Sequence, residues 1–299
     1  MQVVIEKYWQ IFLNSYVGYW NYLTTEILNP NWRNYFWWLI GISLIAWLLE
    51  ILLPWRKDQA VVRREFFLDG FYMFFNFFLF SLIGYNAISN VGVNLFSDFL
   101  SVFGIDNLMA VNVQSWPSLA KLLLMFILTD FIQWNTHRLL HRIPWMWEFH
   151  KVHHSVEEMG FASHFRFHWM ETVIYKMIQY VPLAMIGFGL QEFFIIHIVS
   201  VAIGHLNHSN VRITYGPLKY ILNNPVMHIW HHTKDIPDQH GVNFGISLSL
   251  WDYIFRTAYV PDKVRRGTLG FDKIENFPRS FWGQIIYPFK TFLNQRQGQ

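Results

Sequence analysis

Apolar and polar positions alternate along this chain in long blocks. Tyr35 to Trp55 carries one charge, Glu50, near its end. At a rise of about 1.5 Å per residue it is long enough to cross a hydrocarbon core of roughly 30 Å. Gly70 to Ile88 is uncharged and crowded with phenylalanine, and Ser118 to Trp134 is a third apolar run. Thr172 to Phe188 and the shorter Phe193 to Ile203 are separated by Gly189-Leu190-Gln191-Glu192. That spacing predicts a membrane hairpin over 172–204 that starts and ends on the same side. The pattern as a whole predicts an all-α fold, a polytopic membrane helical bundle. Ahead of it, residues 1–34 scatter Tyr8, Trp9, Phe12, Tyr16, Tyr19, Trp20 and Tyr22 among polar positions. They lack the basic, apolar and small-residue succession of a signal peptide and read as an interfacial aromatic segment.

Charge orients the bundle. Arg56, Lys57, Arg63 and Arg64 follow the first span, and no Lys or Arg occurs between Arg64 and Lys121. The positive-inside rule therefore puts the basic linker in the cytoplasm and makes Ser89 to Trp116 an outer loop. Ser118 to Trp134 returns inward and delivers His137 to the cytoplasmic face. The expected divisions are transmembrane spans over 35–134, a cytoplasmic cap with its membrane hairpin over 135–261, and a cytoplasmic amphipathic tail over 262–299. Phe281 to Phe292 of that tail is expected to lie on the membrane. No cleavable presequence or C-terminal retrieval signal is evident, so a bacterial inner membrane is expected over the endoplasmic reticulum.

Composition narrows the chemistry. The chain is 53% hydrophobic, 19% aromatic and only 14% charged, with no cysteine. Disulfides, iron–sulfur clusters and thiolate sites are thereby excluded. The net charge of +3 is small and its basic residues sit near membrane ends, so no nucleic-acid face is expected. No Gly-rich phosphate loop or Gly-x-Ser-x-Gly elbow occurs.

Histidine remains. All 14 fall between His137 and His240, and the first 136 residues contain none. His137 and His141 are spaced by four, one helical face. His150, His153 and His154 form His-x-x-His-His, and His228, His231 and His232 repeat it. Clustered neutral imidazoles are tolerable when a cation occupies their midst, so these patterns predict a histidine-rich metal-binding cap. Asp130, Trp134, His137 and His141 share one face, from which Asp130 is expected to accept the second N–H of a ligating imidazole. His197, alone in an apolar stretch, reads as structural. Imidazole suits zinc, copper, iron and nickel alike, but a structural zinc needs only four ligands, and this number of histidines supplies two metals with open positions.

The ordered motifs HRLLH, FHKVHHS, RFH followed by Glu171, HSNVR, HIWHH and NFGISLSLWDYIF resemble those of the fatty acid hydroxylase/sterol desaturase superfamily, over roughly Thr129 to Pro261. The resemblance implies a membrane-embedded, non-haem di-iron enzyme that uses O2 to hydroxylate or desaturate a fatty acyl, sterol or related lipid. It carries metal ligation onto His137, His141, His150, His153, His154, His208, His228, His231 and His232. His168 and His205 match less certain positions and are expected as ligands or just behind them; His164 and His240 match no ligand position. Two departures stand out: Trp169 replaces a common proline, and Arg256 replaces the glycine of the usual Phe-Gly-Thr ending. No haem or flavin signature is present, so electrons are expected from a ferredoxin or b-type cytochrome. Arg56, Lys57, Arg63, Arg64, Lys263, Arg265 and Arg266 could present a basic surface to such a donor. Two other classes stay open. A membrane metal-dependent hydrolase would use Glu157, Glu158 or Glu171 as its base. A non-catalytic metal-binding or transport protein would place its histidines along several spans.

Overall fold

The expected spans are helical over most of their length, as are HRLLH, FHKVHH, most of HIWHH and residues 281–297 of the tail, whereas RFH and most of HSNVR lie outside the helices. The computed structural model describes residues 2–238, 240–261 and 268–297, and among these it contains α-helices joined by turns and no β-strand. Helix α1 covers Gln2–Leu28 and α2 covers Tyr35–Leu52. Helix α3 (Phe66–Phe74) continues through two π-helical turns, Phe75–Leu79 and Ser81–Tyr85, into α4 (Asn86–Ser101). Then come α5 (Ser118–Arg142), α6 (Pro144–His154), α7 (Trp169–Ala184) and α8 (Leu190–His208). The chain ends in α9 (Pro225–His231), α10 (Leu250–Ile254) and α11 (Phe281–Gln297).

Among the described residues, three helical stretches are long and apolar enough to cross a membrane: Tyr35–Leu52, Phe66–Ser101 and Leu190–His208. The structure corrects the outer loop expected from Ser89 onward, because its first half is helix α4. Its polar residues are used laterally against α1. Lys7 and Tyr8 both bind Asp98, and Asn86 and Asn90 donate to the backbone and hydroxyl oxygens of Ser15. The interfacial segment is correspondingly a helix of 27 residues packed on α4. The short apolar stretch from Phe193 is part of a helix of 19 residues, since His205, Asn207 and His208 continue its inner face. Helix α5 likewise runs on to Arg142 as 25 residues, so the third expected span and the first histidine pair share one rod.

Local chemistry explains the breaks. Ile143 is extended, as a residue before proline must be, and Pro144 takes the first helical position of α6. The Asn224 side chain caps α9 through the Met227 N–H. Arg256, at a position where the resemblance expects glycine, adopts φ 59°, a left-handed conformation that costs an L-residue roughly 1–2 kcal/mol. The single charge of the first span, Glu50, accepts the N–H groups of Phe161 and Asn210 at 2.8 Å each. It thereby ties α2 to two loops beneath the histidines.

A buried ionic knot joins the start of α3 to the segment between α6 and α7. Arg63 pairs with Asp69, and Arg166 pairs with Asp69 at 3.1 Å and Glu65 at 2.7 Å. Arg63, Asp69 and Arg166 are all buried. Of the basic residues expected at a docking surface, Arg63 is therefore committed internally and Arg56 donates to Met159 O. Lys57 and Arg64 remain exposed, while Lys263, Arg265 and Arg266 lie outside the described residues. Removing one member of a buried ionic group strands the others. Asp69→Asn is expected to destabilise the protein by about 3–5 kcal/mol in thermal unfolding in detergent; a loss below about 1 kcal/mol, typical of solvated pairs, would contradict this account.

Candidate metal centre

Helical periodicity gathers the imidazoles into two groups. His137 and His141 from α5, His150 and His154 from α6 and His231 from α9 form the first. His153 from α6, His208 from α8, and His228 and His232 at α9 form the second. Within each group the ring nitrogens lie within 4.8 Å of one another. The two His-x-x-His-His motifs are used in opposite senses. Helix α6 gives its i,i+4 pair to the first group and His153 to the second; α9 gives His231 to the first and its i,i+4 pair to the second.

Backbone carbonyls orient the rings. A carbonyl only accepts, so a ring nitrogen facing one carries the proton and leaves the other nitrogen with a bare lone pair. His137 Nδ1 donates to Phe244 O at 2.8 Å, His231 Nδ1 to Val242 O at 2.8 Å, His153 Nδ1 to Arg166 O at 3.1 Å, and His208 Nδ1 to Gly204 O at 2.7 Å. His150 Nδ1 faces Glu171 Oε2 at 2.8 Å. The Nε2 atoms of His153 and His208 consequently point lone pair to lone pair at 3.3 Å. The same close Nε2 approach recurs for His137 with His150 and for His154 with His231, both at 3.1 Å. His141 Nε2 is buried with no hydrogen-bond partner. Burial pushes His137 down to about 4 and His153 to about 3, and holds His150, His154 and His231 well below the ordinary imidazole value. Protons therefore do not relieve the facing lone pairs near neutrality. Two groups of neutral nitrogen donors converging in this way fit two metal ions.

The remaining expected residues stand further out. His168 caps α7 by accepting the Met170 N–H at Nδ1, and donates from Nε2 to Ile285 O of α11 at 3.0 Å. His205 contacts His164 through Nδ1 at 3.0 Å and Ser43 Oγ through Nε2 at 3.1 Å. Both rings have both nitrogens engaged and belong to neither group. His197 packs on Tyr35 and Phe77, and His240 is exposed. Asp130 touches no imidazole, contrary to the expectation from its helical face. It accepts the N–H groups of Ser247 and Leu248 and the Trp251 indole, while Asp252 accepts those of Phe244 and Gly245 and the Trp134 indole. These two carboxylates shape the 244–248 turn, whose Phe244 carbonyl holds His137. The direct carboxylate partner is Glu171, visible in the sequence as the residue after RFHWM but not in this role.

Two glycines make room for rings. A Cβ on Gly204 would overlap the His164 imidazole, and one on Gly241, at φ 98°, would lie 2.9 Å from His141 Nδ1. A cavity of about 520 Å³ opens against this wall, touching His137, His150, His153, His208 and His228, members of both groups. It extends between α5, α7 and α8 toward Tyr19 and Tyr22 of α1 and Tyr35 of α2.

Glu171→Leu, which leaves His150 Nδ1 without its acceptor, is expected to weaken metal retention by about 10–100-fold in chelator competition, with Glu171→Gln losing less because its carbonyl oxygen still accepts. Equal retention in wild type and Glu171→Leu would show that the carboxylate does not orient the ring.

Comparison with known proteins places this arrangement. The fatty acid hydroxylase family model matches residues 122–257. Over 176 residues the chain is 31% identical to ornithine lipid hydroxylase OlsE of Rhizobium tropici, a match covering 59% of this chain and 52% of that protein. It is 31% identical over 152 residues to alkylglycerol monooxygenase of Xenopus tropicalis, covering 50% of this chain and 33% of the relative. Very-long-chain aldehyde decarbonylase GL1-10 of Oryza sativa subsp. japonica is 28% identical over 142 residues, 46% of each chain. The chain thus spans about half, or less, of the length of the curated relatives it matches. No solved structure matches it. The stretch that the fatty acid hydroxylase family model matches, residues 122–257, is the one that holds all nine grouped histidines, and there the chain is similar to that family.

Proposed function

We propose that this protein is a membrane lipid oxygenase that binds two iron ions and uses O2 and external electrons to hydroxylate or desaturate a lipid. The observation that carries this reading is the pair of imidazole groups whose bare nitrogens converge beside one wall of an elongated, largely apolar cavity. His137, His141, His150, His154 and His231 would hold one ion, and His153, His208, His228 and His232 the other. Iron held by imidazole supplies the redox chemistry with O2 that an unactivated C–H bond requires and that no protein acid or base provides.

The chain's own residues bind, orient and enclose. The carbonyls of Phe244, Val242, Arg166 and Gly204, with Glu171, keep the ligand nitrogens deprotonated and aimed inward. Aromatic rings of Tyr19, Tyr22, Phe77 and Phe78 line the cavity and would exclude water from an acyl chain or ring system. Trp169, the residue that departs from the common proline, packs on Phe80 and His168 at the start of α7. Electrons would come from a ferredoxin or b-type cytochrome, and the site would face the cytoplasm, in a bacterial inner membrane. A hydrolase would need a free carboxylate beside the metals. Glu171 is instead bound to His150, and Glu157 pairs with Arg279 away from the cavity.

Protein expressed with ample iron is expected to hold about two irons per chain, one ion per imidazole group. His208→Ala and His231→Ala should each lower that content, and the double variant should abolish it together with lipid-dependent O2 uptake in the presence of reductant. Zinc as the bound metal, with no O2 uptake after iron reconstitution, would reject the oxygenase.

A further inference from the structure

One imidazole stands beside the metal centre without a part in it. His164 lies in the single 3-10 turn Phe161–Phe165, matches no ligand position in the family resemblance and belongs to neither imidazole group. Its ring centroid is nonetheless 5.1 Å from that of His208, inside the 4.2–5.3 Å span of the pairs that His208 makes with His228 and His232 of the second group. It lines the cavity together with His153, His208 and His228, three of that group's four members. The second group and His164 therefore border the same open space.

The ring is fixed from two sides. Its Nδ1 is 3.0 Å from His205 Nδ1, and His205 Nε2 is 3.1 Å from Ser43 Oγ. Its other edge lies over Gly204, where a Cβ would come within 2.2 Å of both Cε1 and Nε2. Gly204 stands one turn before His208 in α8 and accepts from that ring's Nδ1 at 2.7 Å. Nε2 of His164 has no hydrogen-bond partner among the described residues. The chain behind it is reversible. If the Ser43 hydroxyl turns to Met73 Sδ, 3.5 Å away, His205 Nε2 donates to Ser43, His164 Nδ1 donates to His205, and His164 Nε2 presents a lone pair. If the hydroxyl donates to His205 Nε2 instead, both imidazoles change tautomer and His164 Nε2 presents an N–H. Neither arrangement charges a ring.

We propose that His164 is a positioning residue of the second metal site: its Nε2 hydrogen-bonds the small ligand that the second ion carries toward the cavity, accepting from a water and donating to an anion that displaces it. This deepens the reading of the imidazole groups as metal sites and rests on it, but needs neither iron as the metal nor oxygenation as the reaction. It gives the additional histidine and the glycine beneath it one shared purpose, since a side chain at position 204 would drive the ring from this place. The reversible chain to Ser43 suits the task, because the same nitrogen serves both kinds of ligand with no change of charge beside the ion.

The test loads full-length protein in detergent with cobalt(II), whose visible absorption reports its ligands, and titrates azide as the anionic probe without O2, reductant or lipid. Wild type is expected to hold about two cobalt ions per chain. It should bind azide about tenfold tighter than His164→Leu, the effect of losing one hydrogen bond to a charged group, with cobalt content unchanged. Gly204→Ala keeps every grouped histidine and displaces the His164 ring, so it should show the same loss, and it decides the matter if His164→Leu does not fold. Azide affinity within about twofold of wild type in the folded variants would overturn the proposal. So would the absence of an azide complex in wild type, or loss of one cobalt ion from folded His164→Leu, which would make His164 a ligand itself. Wild type that takes up no cobalt would refute the metal-site reading together with the proposal, whereas cobalt and azide binding as expected, with no O2 uptake by the iron-loaded protein, would refute the oxygenase alone.

Discussion

Everything in this molecule answers to one electrostatic constraint: neutral imidazole nitrogens are packed with their lone pairs facing one another where burial disfavours protonation. The His153 and His208 nitrogens, 3.3 Å apart with both opposite nitrogens committed to backbone carbonyls, state it most plainly. Such a contact is unfavourable by itself and becomes favourable around a cation. The rest of the fold can be understood as the apparatus that holds the rings in place against that repulsion. The Arg166 carbonyl fixes His153 while the Arg166 guanidinium is anchored by Asp69 and Glu65, so one residue connects the buried ionic knot to the imidazole groups. On the opposite side Asp130 and Asp252 shape the turn whose Phe244 carbonyl fixes His137. Charges two layers away from the rings thus help decide which nitrogen His153 and His137 present.

How much of this could be read from the residues depended on whether the information was periodic. Eight of the nine grouped histidines were legible because spacings of three and four translate directly into helical faces, and the duplicated His-x-x-His-His announced two related clusters; His208 entered only through the resemblance of its HSNVR motif. The opposed use of the two copies was not legible, since it depends on how α6 and α9 cross. The carbonyl anchors leave no trace in the sequence, every residue having one. Asp130 was placed on the correct face, but its partner turned out to be a turn more than 110 positions away, a contact that periodicity cannot reveal. His168 and His205 share the residue type of the ligands and differ only in tertiary surroundings: a helix cap and a carbonyl from α11 for one, a hydroxyl from α2 for the other.

The spans show the same division. Hydropathy located α2, the first part of the long α3–α4 rod and most of α8, because lipid demands continuous apolar length. It missed the extension to Ser101 because α4 owes its helicity to hydrogen bonds and packing against α1, and an absence of basic residues says nothing about secondary structure. It also stopped short in α8, where polar residues on the inner face continue a helix that hydropathy alone would end.

Helices α6 and α9 each supply both imidazole groups, which makes the two groups parts of one mechanical object. An ion entering either group restrains both helices, and the loss of conformational freedom it imposes need not be met again by the second ion. The crossed use of a repeated motif would therefore make occupancy itself cooperative: a half-filled centre would be a transient on the way to a filled or an empty one.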